Sequence, residues 1–175
     1  VVYSYNRVVN VGDTAKSFSF KNGTISFTKS IEDGATDVYD LIRCADYCFL
    51  TLSDNNHYYL ETSLHTDVTI NGSQVVLARA NCESTKFIIN SNCVLVDMDG
   101  SYVNCKIDGD FRITTSTNTL RQKFVGCDFT HPLDVMPNIL LYSQSNEKTY
   151  VNIVVEGCTF NFANQGVKLE AIHPN

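Results

Sequence analysis

Three short segments share one pattern: Y-V-N-C-K-I from Tyr102 to Ile107, F-V-G-C-D-F from Phe124 to Phe129, and V-E-G-C-T-F from Val155 to Phe160. Each sets a thiol after a small or turn-forming residue, with Ile or Phe two positions later. Cys105 and Cys127 lie 22 residues apart, Cys127 and Cys158 lie 31 apart. A parallel β-helix winds one coil in roughly twenty-odd residues and takes insertions in its turns. The longer interval then holds a loop at Pro132–Pro137 or Gln144–Lys148. Alternate strand residues face the same side. That places Val103, Cys105 and Ile107 inside, with Val125, Cys127 and Phe129 one coil further on. A sandwich gives no reason for the tripeptide to recur at this interval. The spacing predicts an all-β solenoid in which Cys93, Cys105, Cys127 and Cys158 are buried structural thiols.

The rest of the chain is read around that repeat. Short Val-, Ile-, Phe- and Thr-rich runs separated by Asn, Asp, Gly and Ser read as strands between turns from Cys48 onward. Ser17 to Phe27 alternates Phe18, Phe20, Ile25 and Phe27 with polar residues around Asn22-Gly23, which predicts a hairpin. Only Asp33 to Asp46 reads as a helix, with Val38, Leu41, Ile42 and Ala45 on one face and Thr36 or Asp37 as N-cap. Residues 1–32 are thus expected as an N-terminal β region for attachment or oligomerisation. Residues 33–175 are expected as the β-helix domain, closed by a capping helix at about 36–46.

Composition bounds the partners. A net charge of −6, with Lys and Arg scattered, excludes the basic footprint that duplex nucleic acid or an anionic membrane demands. No apolar run is long enough to span a bilayer. Seven cysteines are an odd number, so at least one stays unpaired in an isolated chain. A reducing compartment with most thiols buried is the expectation. The opening V-V-Y-S-Y, without an initiating Met, is read as the start of a mature or excised piece.

The order of features adds a resemblance. D-G-A-T-D at Asp33–Asp37 is followed by H-Y-Y-L-E-T-S-L-H-T-D-V-T-I-N-G-S from His57 to Ser73, and then by the G-C-x-F-like segments. From about Glu32 to Phe162 this resembles the pectate-lyase-like superfamily of right-handed parallel β-helix proteins, which includes bacteriophage tailspikes and polygalacturonases. The resemblance implies a right-handed winding, an N-terminal capping helix and a trimer. The polygalacturonase signature set (N-T-D, paired Asp, G-H-G, R-I-K) is not found, so no catalytic residue carries over.

Two acidic pairs, Asp97-Met-Asp99 and Asp108-Gly-Asp110, come nearest to an active site. Residues two apart on a strand face the same way at about 6.6 Å of rise, within the range of glycosidase carboxylates. The adjoining glycines equally make both pairs turns. Tyr58, Tyr59, Tyr102, Tyr142 and Tyr150 are candidates for an outer, sugar-stacking face, or for strand packing. The histidines and Cys44/Cys48 show no metal-ligand spacing, and neither a metal nor a cofactor is expected.

The function expected is a structural, receptor-binding β-helix of a virion appendage (tailspike- or fibre-like) that contacts cell-surface polysaccharide and other virion proteins. Alternatives are a polysaccharide lyase or hydrolase acting through outward carboxylates, and an extracellular or cell-surface adhesin module.

Overall fold

The computed structural model describes residues 1–28, 31–36, 38–71, 75–90, 95–97, 99–109, 111–115, 119–130, 139–143, 150–161 and 167–171. Every ladder between strands is parallel, and no helix occurs among the described residues. The chain winds between two sheets. The first stacks β1 (Val2–Tyr5), β3 (Thr24–Phe27), β5 (Phe49–Leu52), β7 (Thr66–Ile70), β9 (Thr85–Ile89), β12 (Lys106–Asp108), β15 (Asp128–Thr130) and β18 (Thr159–Phe160). The second begins with β2 (Ser17–Lys21), β4 (Tyr39–Ala45), β6 (His57–Thr62) and β8 (Val76–Glu83). This is a parallel β-solenoid.

At β8 the second sheet forks. Val76 and Leu77 pair with β10 (Leu95–Asp97), which leads to β13 (Phe111–Thr115), β16 (Ile139–Ser143) and β19 (Val167–Ala171). Asn81 to Glu83 pair instead with β11 (Gly100–Val103), which leads to β14 (Thr119–Val125) and β17 (Tyr150–Glu156). The register against β6 slips at this point, and Arg79 takes a left-handed φ of 49°. One extra residue on a strand bends it and breaks its ladder. The early coils therefore have two faces and the later ones three.

The interior is built in columns. Ile25, Leu50, Val68, Phe87, Ile107, Phe129 and Phe160 follow one another along the first sheet. Phe20, Cys44, Thr62, Cys82, Tyr102 and Phe124 do the same along the second. All but half-buried Phe160 are buried. Between the sheets the chain turns at a left-handed residue: Asn22, Tyr47, His65, Ser84, Asn104, Gly126 and Gly157 have φ from 48° to 63°.

The corner explains the cysteines. The residue just after it is Gly23 in the first coil and Cys48, Thr66, Thr85, Cys105, Cys127 or Cys158 in the later ones, where a thiol and a threonine are interchangeable. Thr85 Oγ1 and the Cys105, Cys127 and Cys158 thiols each donate to the carbonyl two residues back, closing the turn. All six cysteines among the described residues are free. Five are buried and Cys158 is half-buried, while Cys93 lies outside the described residues. Burial pushes the Cys82 thiol up to about 12. A hydrogen bond with Cys105, and burial, raise that of Cys127. Both effects hold Cys82 and Cys127 in the neutral thiol form.

Several expectations need correction. The capping helix at 36–46 is absent, and β4 occupies most of it. Its Asp40, Ile42 and Cys44 point inward at period two. The helical spacing of Leu41 and Ile42 is incidental, because Asp40 between the apolar positions is itself buried. Asn22-Gly23 is not a hairpin turn: β2 pairs with β4, and β3 pairs with β1 and β5. β1, β2 and β3 therefore belong to the same two sheets as the later strands. Val103 and Val125 are only half-buried, because left-handed Asn104 and Gly126 reset the alternation. Tyr102 and Phe124 take the interior positions instead.

Candidate functional site

The outer surface of β8, β11, β14 and β17 forms a shallow groove of about 370 Å³. Parallel register assembles it from distant residues: Asn81, Ser101, Lys123 and Val154 form one row across four coils, and Arg121 pairs with Asn152 in the next. The bulge at the fork turns Arg79 outward to the groove's rim, where its guanidinium lies 6.0 Å from the Tyr59 ring centroid. Tyr59 in turn stacks on Tyr39 with centroids 5.3 Å apart. The floor stays shallow at Gly100, where a Cβ would come within 2.5 Å of Gln122 Oε1.

Three cations, Arg79, Arg121 and Lys123, thus converge on a chain whose net charge is −6. Asp99 is the one carboxylate lining this groove among the described residues, and its Oδ1 accepts the backbone N–H of Arg121 at 3.0 Å. Exposed Asn81 and Asn152 and half-exposed Ser101 supply neutral hydrogen-bonding groups. Cations, amides and a hydroxyl beside stacked aromatic rings suit a hydroxyl-rich anion. Comparison with protein-family models, curated proteins and solved structures yields no match. The chemistry of the site therefore rests on its own geometry.

The residues singled out in the sequence fall in different places. Asp99 is exposed at the groove, and half-buried Asp108 ends β12 on the first sheet, so these two do not share a face. Asp97 belongs to β10, its side chain lying outside what is described, and Asp110 lies outside the described residues. Tyr58 and Tyr102 are fully buried, which corrects their assignment to an outer, sugar-stacking face. Tyr59 is half-exposed and borders the groove. Tyr142 and Tyr150 lie on β16 and β17, and their side chains are outside what is described. No cluster of three His, Cys, Asp or Glu side chains is placed to hold a metal ion among the described residues. Arg79, Arg121, Lys123 and Asn152 escaped the sequence reading. Their signal was their outward register, visible only once the coils are aligned.

A second polar cluster is structural. The Arg7 guanidinium donates to both Asp40 oxygens, from Nε at 2.7 Å and Nη2 at 3.2 Å. Asp40 also accepts the Lys16 N–H at 2.7 Å, pinning the 6–16 loop across the first coil. Behind it, Asp54 accepts from the Tyr58 hydroxyl and from the backbone and side-chain nitrogens of Asn56. Burial raises the Asp54 carboxyl to about 6 despite these donors.

Proposed function

We propose that this chain is a rigid receptor-binding solenoid of a surface appendage, in keeping with its tailspike-like sequence order. Its groove across β8, β11, β14 and β17 takes an acidic cell-surface glycan. The observation that carries this reading is the gathering of Arg79, Arg121 and Lys123 on one outer face of an acidic protein. Arginine pairs with carboxylates and phosphates through a planar fork, and the neighbouring Tyr39/Tyr59 stack offers apolar surface for a sugar ring. We take the winding to be right-handed, as nearly all parallel crossovers are. A virion fibre, assembled as a trimer, is the setting we favour for such a rod.

A glycan array followed by titration of the strongest hits tests this. The expected result is preference for carboxylated, sulfated or phosphorylated oligosaccharides, weakening with salt. Arg121→Ala/Lys123→Ala should lower affinity at least ~10-fold, about 1.4 kcal/mol. Binding that is indifferent to salt and to both substitutions overturns the reading. Release of reducing ends from an acidic polysaccharide would instead make the groove that of a lyase or hydrolase.

A further inference from the structure

The corner between the two sheets is not built alike in every coil. Asn22, Ser84, Asn104, Gly126 and Gly157 turn the chain as single left-handed residues between the strand and the inward Gly, Thr or Cys that follows. Two consecutive coils, those of β4–β5 and β6–β7, insert one residue more. Their corners read Asp46-Tyr47 and Leu64-His65. Both put a ring at the left-handed position, Tyr47 with φ 56° and His65 with φ 62°. A bulky side chain at positive φ is disfavoured, and Asn, Ser or Gly fills the same place elsewhere in this chain.

The extra residues push a ledge out from the solenoid. The Tyr47 and His65 rings stack with centroids 4.9 Å apart and planes 10° from parallel. The next residues along that column, Asn22 and Ser84, carry no ring to cover the outer faces of the pair. Tyr47 is 61% exposed, Phe49 two residues on is 53% exposed, and Leu64 next to His65 is 47% exposed. The rim is polar: Asp46 pairs with Lys21 at 3.7 Å, and Thr24 and Asp67 flank Phe49 in the ladder.

We propose that the Tyr47/His65 ledge, with Phe49, is a stacking site for a neutral pyranose, separate from the cationic groove. Three observations select this occupant. The flat exposed rings match the apolar face of a sugar, and the surrounding carboxylates, hydroxyl and ammonium match its hydroxyls. Asp46 and Asp67 are balanced on the rim by Lys21 and Lys86, which leaves no net charge to select an ionic ligand. The apolar area is four side chains, far below the 20–30 residues a side of a standard protein interface. The cost of holding two rings at positive φ is then explained by what they contact rather than by the fold.

The inference shares with the proposed function only the class of ligand, and its test is independent. Methyl α- and β-pyranosides of glucose, galactose and mannose are titrated at millimolar concentration into the full chain and followed by NMR. The expected result is chemical-shift change confined to Tyr47, Phe49, His65 and their neighbours for at least one pyranoside. Tyr47→Asn/His65→Asn installs the residue already used at Asn22 and Asn104. This variant should weaken binding at least 10-fold with Tm unchanged or higher, since positive φ is better tolerated by Asn. Arg121→Ala/Lys123→Ala should leave pyranoside binding intact, so failure of the groove and failure of the ledge are told apart. A fall in Tm for the double Asn variant would make the rings structural and overturn the proposal. So would shifts located elsewhere, no shifts with any pyranoside, or response to tetramethylammonium alone.

Discussion

Asp40 and Asp54 are both buried, but only Asp40 has a guanidinium beside it. Arg7 neutralises Asp40 through two hydrogen bonds. Asp54 has only neutral donors, Tyr58 and Asn56, so burial wins and its carboxyl rises to about 6. Folding therefore favours the protonated acid. This contribution to stability is complete below the unfolded value near 4 and is lost as pH rises through about 6. A shift of that size is on the order of 3 kcal/mol. Asp54→Asn should accordingly raise stability at pH 7.5 and remove that share of the pH dependence, read by urea denaturation at pH 4.5 and 7.5. Tyr102 supplies a second case. Its ring stacks on Phe124 at 4.9 Å, while its buried hydroxyl has no partner among the described residues. An unsatisfied buried hydroxyl costs about 1–3 kcal/mol. Tyr102→Phe should therefore raise Tm by a few degrees, whereas a partnered hydroxyl would make the change destabilising.

Corners, more than strands, decide how the elements stack. After the corner, Cys48, Thr85, Cys105, Cys127 and Cys158 bond back to the strand just left, whereas the buried Thr66 hydroxyl finds no partner among the described residues, and the left-handed residue before them reverses the chain. Cys105→Thr should therefore be tolerated within about 1 kcal/mol, because Thr66 and Thr85 occupy the same column. Cys105→Ala loses the bond and leaves a void, costing about 1–3 kcal/mol. Equilibrium unfolding of both variants checks the order. With an aromatic-disulfide thiol reagent, half-buried Cys158 should react first among the six described cysteines, and denaturant should be needed for the others. The same corners show what the sequence could and could not say. The recurrence around Cys105, Cys127 and Cys158 made the coil legible, since a corner repeats its chemistry every turn. The single left-handed residue was not legible: Asn104 inside Y-V-N-C-K-I leaves the alternation looking continuous, so Val103 seemed inward. Asp33 to Asp46 read as helix because Asp40 finds its partner 33 residues away at Arg7. Asn22-Gly23 read as a hairpin because nothing local distinguishes a turn between paired strands from a turn between sheets. Of the groove, Tyr59 and Asp99 were visible as candidates. Its cations, on β8 and β14, become neighbours only through register.

At the scale of the molecule the fork at β8 matters most. That strand is held by β6 on one side and by both β10 and β11 on the other. Stability in a solenoid is a sum over neighbouring coils, so the best-connected strand should open last. Hydrogen exchange read by mass spectrometry should find β8 amides exchanging at least ~100-fold more slowly than those of β1, which among the described residues pairs with β3 alone. Equal protection in both would mean that the chain opens as one unit. The parallel register has an outcome for length as well as for strength. Coils repeat at the ~4.8 Å spacing of hydrogen-bonded strands, so the four strands under the groove act as a graduated scale along the solenoid axis. A polymer laid along that axis meets one further row position at every graduation, Asn81, Ser101, Lys123 and then Val154, until the scale ends. Its affinity should climb with each added unit and then level off, and the length at which it levels would count the coils that touch it.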